Sequence, residues 1–338
     1  GGLAGMSNNG SFDSSYATGN VMGSGDRIGG LIGGTAGGGV TVINSSATGD
    51  VTGSTMVGGL IGFLGFNSII ISNHASGAVN GQYDVGGLIG KNWKATITDS
   101  YASGDVNGFW YVGGLVGSNN YGTVDASYAI GSASGTINFV GGLVGYNLKS
   151  HIANSYASGA VLGGGDHVGG LAGASSINSV IENSYATGGV TGSSLSTGGL
   201  VGTNGGLISS SYWDTTTNGA LAGIGDGILT GAIGLTSAEM MRASNFTGWD
   251  ISRTGGSTAV WRIYEGHTNP LLRSFLTPLT LIDAPDAVTT YNSTAQSGAT
   301  TAIGGVLGAA ATGTNAGFYN GYYSDQQGYD ITGGNLTI

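Results

Sequence analysis

Apolar and polar positions repeat as a block through the first two thirds of this chain. Gly-Gly-Leu recurs with its leucine at Leu3, Leu31, Leu60, Leu88, Leu115, Leu143, Leu171 and Leu200, at gaps of 28, 29, 28, 27, 28, 28 and 29 residues. A second phrase follows each copy, as Ser127-Tyr128-Ala129 follows Leu115. Its tyrosine position holds Tyr16, Ser46, His74, Tyr101, Tyr128, Tyr156, Tyr185 and Tyr212. Four residues earlier stands an apolar residue every time: Phe12, Val42, Ile70, Ile97, Val124, Ile152, Ile181 and Ile208. Ala follows the tyrosine position in seven of eight copies, with Gly and a late Val beyond it. A period this regular marks a repeat architecture.

The runs between punctuating Gly, Asn and Ser are short and β-favouring, and none sustains a helical apolar period. Each unit offers about three strands, too few to bury an apolar face alone. Stacking pairs each strand with its equivalent one unit away, about 4.8 Å off. The chain therefore reads as all-β: a parallel β-solenoid of about eight coils of 27–29 residues over 1–214. The expected ladder residues are Leu31, Leu60, Leu88, Leu115, Leu143 and Leu171, then Ile97, Ile152 and Ile181, then Tyr101, Tyr128, Tyr156 and Tyr185. Two-residue alternation puts the Ile and Tyr positions on one face, read as inward. The glycines read as coil corners, which want positive φ or no Cβ, and Gly-Gly before Leu also lets strands sit close to a neighbouring sheet.

The pattern stops at Trp213-Asp214. Residues 215–276 read as a small mixed cap. Thr236 and Glu239 form a capping box for one short helix. Thr254-Gly255-Gly256-Ser257 suggests a hairpin between 249–253 and 260–264. Trp249 and Trp261 are expected to cover the last coils, and Arg242, Arg253, Arg262 and Arg273 to form ion-paired cap surface. Pro278 and Pro285 bracket a linker, 277–286. Residues 287–338 read as a small β module or strand-donating tail, with strand-like runs at 289–291, 302–307, 317–323, 329–331 and 335–338.

Composition narrows the function. Gly accounts for 71 of 338 residues, Pro for only 3, and 8% of residues are charged, which fits neither collagen nor a disordered chain. The net charge of −10 disfavours nucleic acid and anionic membranes as partners. No apolar run is long enough for a membrane-spanning helix. The chain opens inside a repeat and reads as a piece of a longer protein. With no cysteine, thiolate metal sites and disulfides are excluded.

Chemistry is sparse. The histidines are His74, His151, His167 and His267, and no His-Glu-x-x-His or Gly-x-Ser-x-Gly occurs. Asp99 and Asp125 are the best carboxylate pair for glycoside work, yet their offsets from the tyrosine position point them to opposite faces. The expectation is a non-enzyme without cofactor or metal.

The phrase Val-Gly-Gly-Leu-Val-Gly with Asn-Ser-Tyr-Ala resembles the GLUG motif of large bacterial exoproteins. Ser211-Tyr212-Trp213-Asp214, Gly248-Trp249-Asp250 and Trp261-Arg262-Ile263-Tyr264 resemble the segment that follows such arrays. Thr290-Tyr291-Asn292 and Gly328-Tyr329-Asp330-Ile331 are similar to the small MBG or YDG modules. The resemblance implies a filamentous-haemagglutinin-like adhesin exported by two-partner secretion. It implies a structural or adhesive rod at the bacterial surface or in the matrix, outside the cell. Its expected partners are further copies of itself, head to tail in a filament, and a host or matrix glycan or protein. The alternative is a glycan-binding or polysaccharide-cleaving β-helix module.

Overall fold

The computed structural model describes residues 1–36, 39–301, 304 and 306–338. These form two compact units, Gly1–Gly234 and Leu235–Ile338.

The first unit is a parallel β-solenoid. One coil, followed from Val116, passes through four sheets: Val116–Asn120 in sheet I, Thr123–Asp125 in sheet II, Tyr128–Ala129 in sheet III and Ala133–Gly141 in sheet IV. Each pairs in parallel register with its equivalent one coil on: Val116 with Val144, Val124 with Ile152, Tyr128 with Tyr156, Ala133 with Val161. Sheet II has eight strands, and sheets I and III have nine.

Four sheets replace the expected three because the run from the apolar position to Tyr-Ala is broken. The break falls on Ser14, Asn44, Ser72, Asp99, Ala126, Asn154, Asn183 and Ser210, all left-handed at φ 42–58°. This corner ends the two-residue alternation. The Ile position of sheet II stays in the lumen, and so does the Ala after each Tyr. The tyrosines, expected in the lumen with the Ile position, lie outside that core on the opposite side of sheet III from the Ala, although Tyr128, Tyr156 and Tyr185 are themselves buried.

The glycines do one of the two jobs the repeat suggested, close approach, and leave the left-handed corners to other residues. Among the described residues, glycine takes positive φ only from Gly227 onward; within the coils, Asn, Ser, Asp, Lys and even Tyr121 make the left-handed corners. The Gly-Gly pair is the expected point of close approach. A Cβ on Gly114 would lie 2.1 Å from the Gly142 carbonyl oxygen and 3.0 Å from the Ala129 methyl. Gly against Ala pinches each coil into a waist. On one side lies a core mainly of Leu, Ile, Val and Ala, on the other a second core that is Val throughout except for Ala133, with Ile28 packed at its end.

The stack closes on itself. Trp213 takes the Ala position of the last full coil and joins the larger core. Strands Ile224–Gly227 and Ala232–Leu235 then add a last rung to sheets I and III. The solenoid thus runs past the expected boundary at 214, because 215–234 still find coil edges to pair with.

The second unit joins what the sequence divided into cap, linker and tail. Helix Ser237–Met240 carries the expected capping box, Thr236 with Glu239. The expected hairpin does not form: Ile251–Ser252 and Trp261–Arg262 pair parallel. Trp261 already runs antiparallel to Leu272 on its other side. Arg273 holds the return loop open, its Nε and Nη2 donating to Ala259 O at 3.0 Å and Thr254 O at 3.3 Å. Within the expected linker, Thr277–Thr280 is a strand paired with Tyr329–Thr332, and Leu281 and Ala284 are buried. Asn335–Thr337 is no free edge; it sits between Ala287–Val288 and Phe318–Asn320. Of the strand expected at 302–307, residues 302, 303 and 305 lie outside the described residues, and Leu307–Gly308 pairs with Tyr322–Tyr323. Arg262, expected at the surface, is fully buried, facing Asp330 at 3.4 Å and lying 3.8 Å over the Tyr264 ring.

Candidate binding face of the solenoid

A parallel coil presents each side chain above its equivalent, so every outer position becomes a column. The leucines form the innermost column. Leu31 N–H donates to Leu60 O, and the bond repeats through Leu88, Leu115, Leu143 and Leu171 to Leu200 at 2.8–2.9 Å. Ile97, Ile152 and Ile181 lie in the lumen in register with Val124 and its equivalents. Outside, His74, Tyr101, Tyr128, Tyr156 and Tyr185 stack face to face, centroids 4.9–5.0 Å apart and planes within 4°. Burial pushes the Tyr185 phenol well above its ordinary range and lowers the His74 imidazole. Trp249 and Trp261 belong to an aromatic group of the second unit, 4.7 Å apart, with Phe246 at 4.8 Å from Trp249.

Sequence reasoning missed a buried polar column. At the residue before the tyrosine position stand Ser45, Asn73, Ser100, Ser127, Ser155, Ser184 and Ser211, each buried. Ser127 Oγ accepts from Ser100 N–H at 3.2 Å and donates to Asp125 O at 2.7 Å. The pattern repeats coil by coil, for example at Ser155 and Ser184. It satisfies the backbone that the left-handed corner leaves without a ladder partner. Asn92, Asn119 and Asn147 form a second column, amide to amide at 2.8 and 3.0 Å. Ser in the Ser-Tyr-Ala phrase was the available signal.

The titratable groups do not gather as a catalytic pair would. Thr98, not Asp99, is the register partner of Asp125, and Asp99 sits at the left-handed corner. Asp125 accepts from Asn154 Nδ2 at 2.9 Å. His151 pairs with Glu182 at 2.9 Å, and His167 bonds Thr203 at 2.7 Å. Among the described residues no three His, Asp or Glu side chains come together as a metal site would need.

The outer face of sheet I differs from the rest. One outward column contains Phe63, Lys91, Ser118 and Tyr146 in register. Beside it runs a left-handed column, Arg27, Met56, Asp84, Tyr111, Phe139 and His167. The two interlock. Arg27 lies 4.7 Å over Phe63, Lys91 pairs with Asp84 at 3.3 Å, and Tyr146 packs on Tyr111 and Phe139 at 5.7 and 5.2 Å. On the far edge Trp93 meets Tyr121 edge-on at 5.3 Å.

Two stretches of the chain, residues 81–107 and 140–162, match the model of the GLUG motif. The chain carries GLUG repeats. The first matched stretch spans the coil from Gly81 to Asn107, so the GLUG unit corresponds to one turn of this solenoid. No curated protein and no solved structure matches the chain. Among the described residues no helix is long and apolar enough to cross a membrane.

Proposed function

We propose that this GLUG-repeat chain is a non-enzymatic structural and adhesive rod that works outside the bacterial cell. One observation carries the reading: the coil interior is committed to stacking. Leu, Ile, Val and Ala fill the lumen, and the buried Ser and Asn columns bond to their equivalents in adjacent coils. Such a scaffold holds its outer columns in a fixed, repeated array, which suits multivalent contact with a surface better than chemistry at one point.

Parallel stacking also supports association between copies, since a further coil with the same phase adds at the same rung spacing. The test is electron microscopy of the chain over a range of concentrations, together with adhesion of cells that display it. The reading expects rods that associate end to end and display-dependent adhesion. Non-associating particles and no gain in adhesion refute it.

A further inference from the structure

We propose that the outer face of sheet I binds an acidic, carboxylate-bearing polysaccharide. This deepens the adhesive reading by naming its ligand class and contact face.

The four cations of residues 1–234 are Arg27, Lys91, Lys94 and Lys149, against eleven carboxylates in the same span. Scattered in sequence, they converge in space on this face. Lys91 is taken by Asp84, which also accepts from Ser118. The other three have no ion-pair partner among the described residues and lie against aromatic rings. Arg27 covers Phe63, and Lys94 and Lys149 approach Tyr121 at 5.7 and 5.8 Å. Lys94, Tyr121 and Lys149 occupy the same left-handed corner in successive coils, so the two ammonium groups flank one ring. Their stems are two rungs apart, about 10 Å by strand spacing.

Beside Arg27 lies a groove of about 450 Å³ lined by Arg27, Phe63, Phe66 and Trp93 among others, and Trp93 joins it to the lysine-flanked Tyr121 ring at 5.3 Å. Phe66 is 48% and Tyr121 42% exposed. Exposed ring edges and faces suit the apolar C–H face of a sugar, whose slight positive character meets the negative face of the ring. The free cations suit carboxylates carried at intervals along a chain. The groove and the lysine-flanked ring lie side by side through Trp93 and Tyr121, so one extended polymer can touch both.

Nucleic acid presents the same two features, charge and flat rings, but fits less well. Three free cations in a chain of net charge −10 neutralise few phosphates.

The test is calorimetric titration of the full chain with polygalacturonate, with its neutral methyl ester and with single-stranded oligo-dT. Polygalacturonate should bind, more weakly as salt rises. The methyl ester should bind about fivefold less tightly or worse, and Lys94→Gln with Lys149→Gln should lower affinity about five- to tenfold. Trp93→Ala should weaken it too, while Arg242→Gln, in the other unit, should leave it unchanged. Far-UV circular dichroism checks that the outward substitutions leave the coils intact. Absence of polygalacturonate binding, equal binding of the ester, indifference to the lysine pair, or preference for oligo-dT would each overturn the proposal. Rod association is read separately by microscopy, so either idea can fail while the other stands.

Discussion

A buried polar atom in the solenoid finds its partner one coil away; in the second unit it finds one across most of the unit. Ser100 N–H bonds Ser127 Oγ, 27 residues on, and Ser127 N–H bonds Ser155 Oγ, 28 residues on. Asp330, in contrast, takes Gly256 N–H from 74 residues away and Arg273 from 57, with Arg262 facing it as well. The solenoid spreads its polar satisfaction over many equal bonds, so any one coil holds a small share. The second unit concentrates its own at a single carboxylate between two guanidinium groups. The two units should therefore fail differently under substitution.

The sharpest break is Asp330→Ala. It strands the fully buried Arg262 without a counter-charge and removes the acceptor of Arg273 Nη1 and of Gly256 N–H in the return loop. Breaking one partner of a buried pair costs about 3–5 kcal/mol. We expect the second unit to unfold at lower denaturant while the solenoid holds, in urea melts followed by Trp fluorescence and circular dichroism. A loss under about 1 kcal/mol would place the ion group among weak surface pairs instead.

Next comes the waist. Gly114→Ala forces a Cβ to within 2.1 Å of the Gly142 carbonyl oxygen in the neighbouring coil. Overpacking of this kind costs about 1–3 kcal/mol. Gly19→Ala is the matched control, since its Cβ would meet nothing within 4 Å. Equal melting temperatures for the two variants would show that these glycines serve as corners and not as points of close approach.

The Ser column should respond less, because it is shared. Ser127→Ala leaves the buried Ser100 N–H without an acceptor, a cost of about 1–2 kcal/mol. Ser127→Asn should restore most of it, because Asn73 fills this column two coils earlier and its Oδ1 accepts from Ser45 N–H at 2.8 Å. Failure of Asn to rescue would mean that the column is packing and not hydrogen bonding.

The same contrast explains what could be read in advance. The stack was legible because each copy repeats the same leucine and apolar phase, and tertiary pairing merely adds copies in line. The capping box at Thr236 and Glu239 was legible because it is local. The direction of the tyrosines was not. One left-handed residue decides it, and that residue is Ser, Asn, Asp or Ala by turns, with no fixed type to announce it. The parallel pairing of 251–252 with 261–262 was hidden because Arg273 and Asp330 enforce it from far along the chain. The sheet I face lay between these cases. Arg27, Lys91, Lys94 and Lys149 look scattered, and only their phase within the repeat brings them together.

The smallest effect should come from the one histidine in the tyrosine column. His74 stacks on Tyr101 at 5.0 Å, planes 4° apart, and partial burial holds its pKa below the ordinary 6.5. In the unfolded chain the imidazole takes its proton near pH 6.5; in the coil it stays neutral to lower pH. The unfolded state therefore binds more protons in that window, and stability must fall as pH drops below about 6.5, levelling once the folded form is protonated too. Above that pH both states are neutral and His74 adds no slope. His74→Tyr removes the titrating group and extends the column with the residue its neighbours use. The wild-type minus variant difference in unfolding free energy, measured from pH 7.5 down to pH 5, should be flat at the top and turn against the wild type as pH falls. A difference that stays flat throughout would show that the stack leaves the ring's protonation unchanged, and one that favours the wild type in acid would show that the stack holds the proton, on the face of Tyr101.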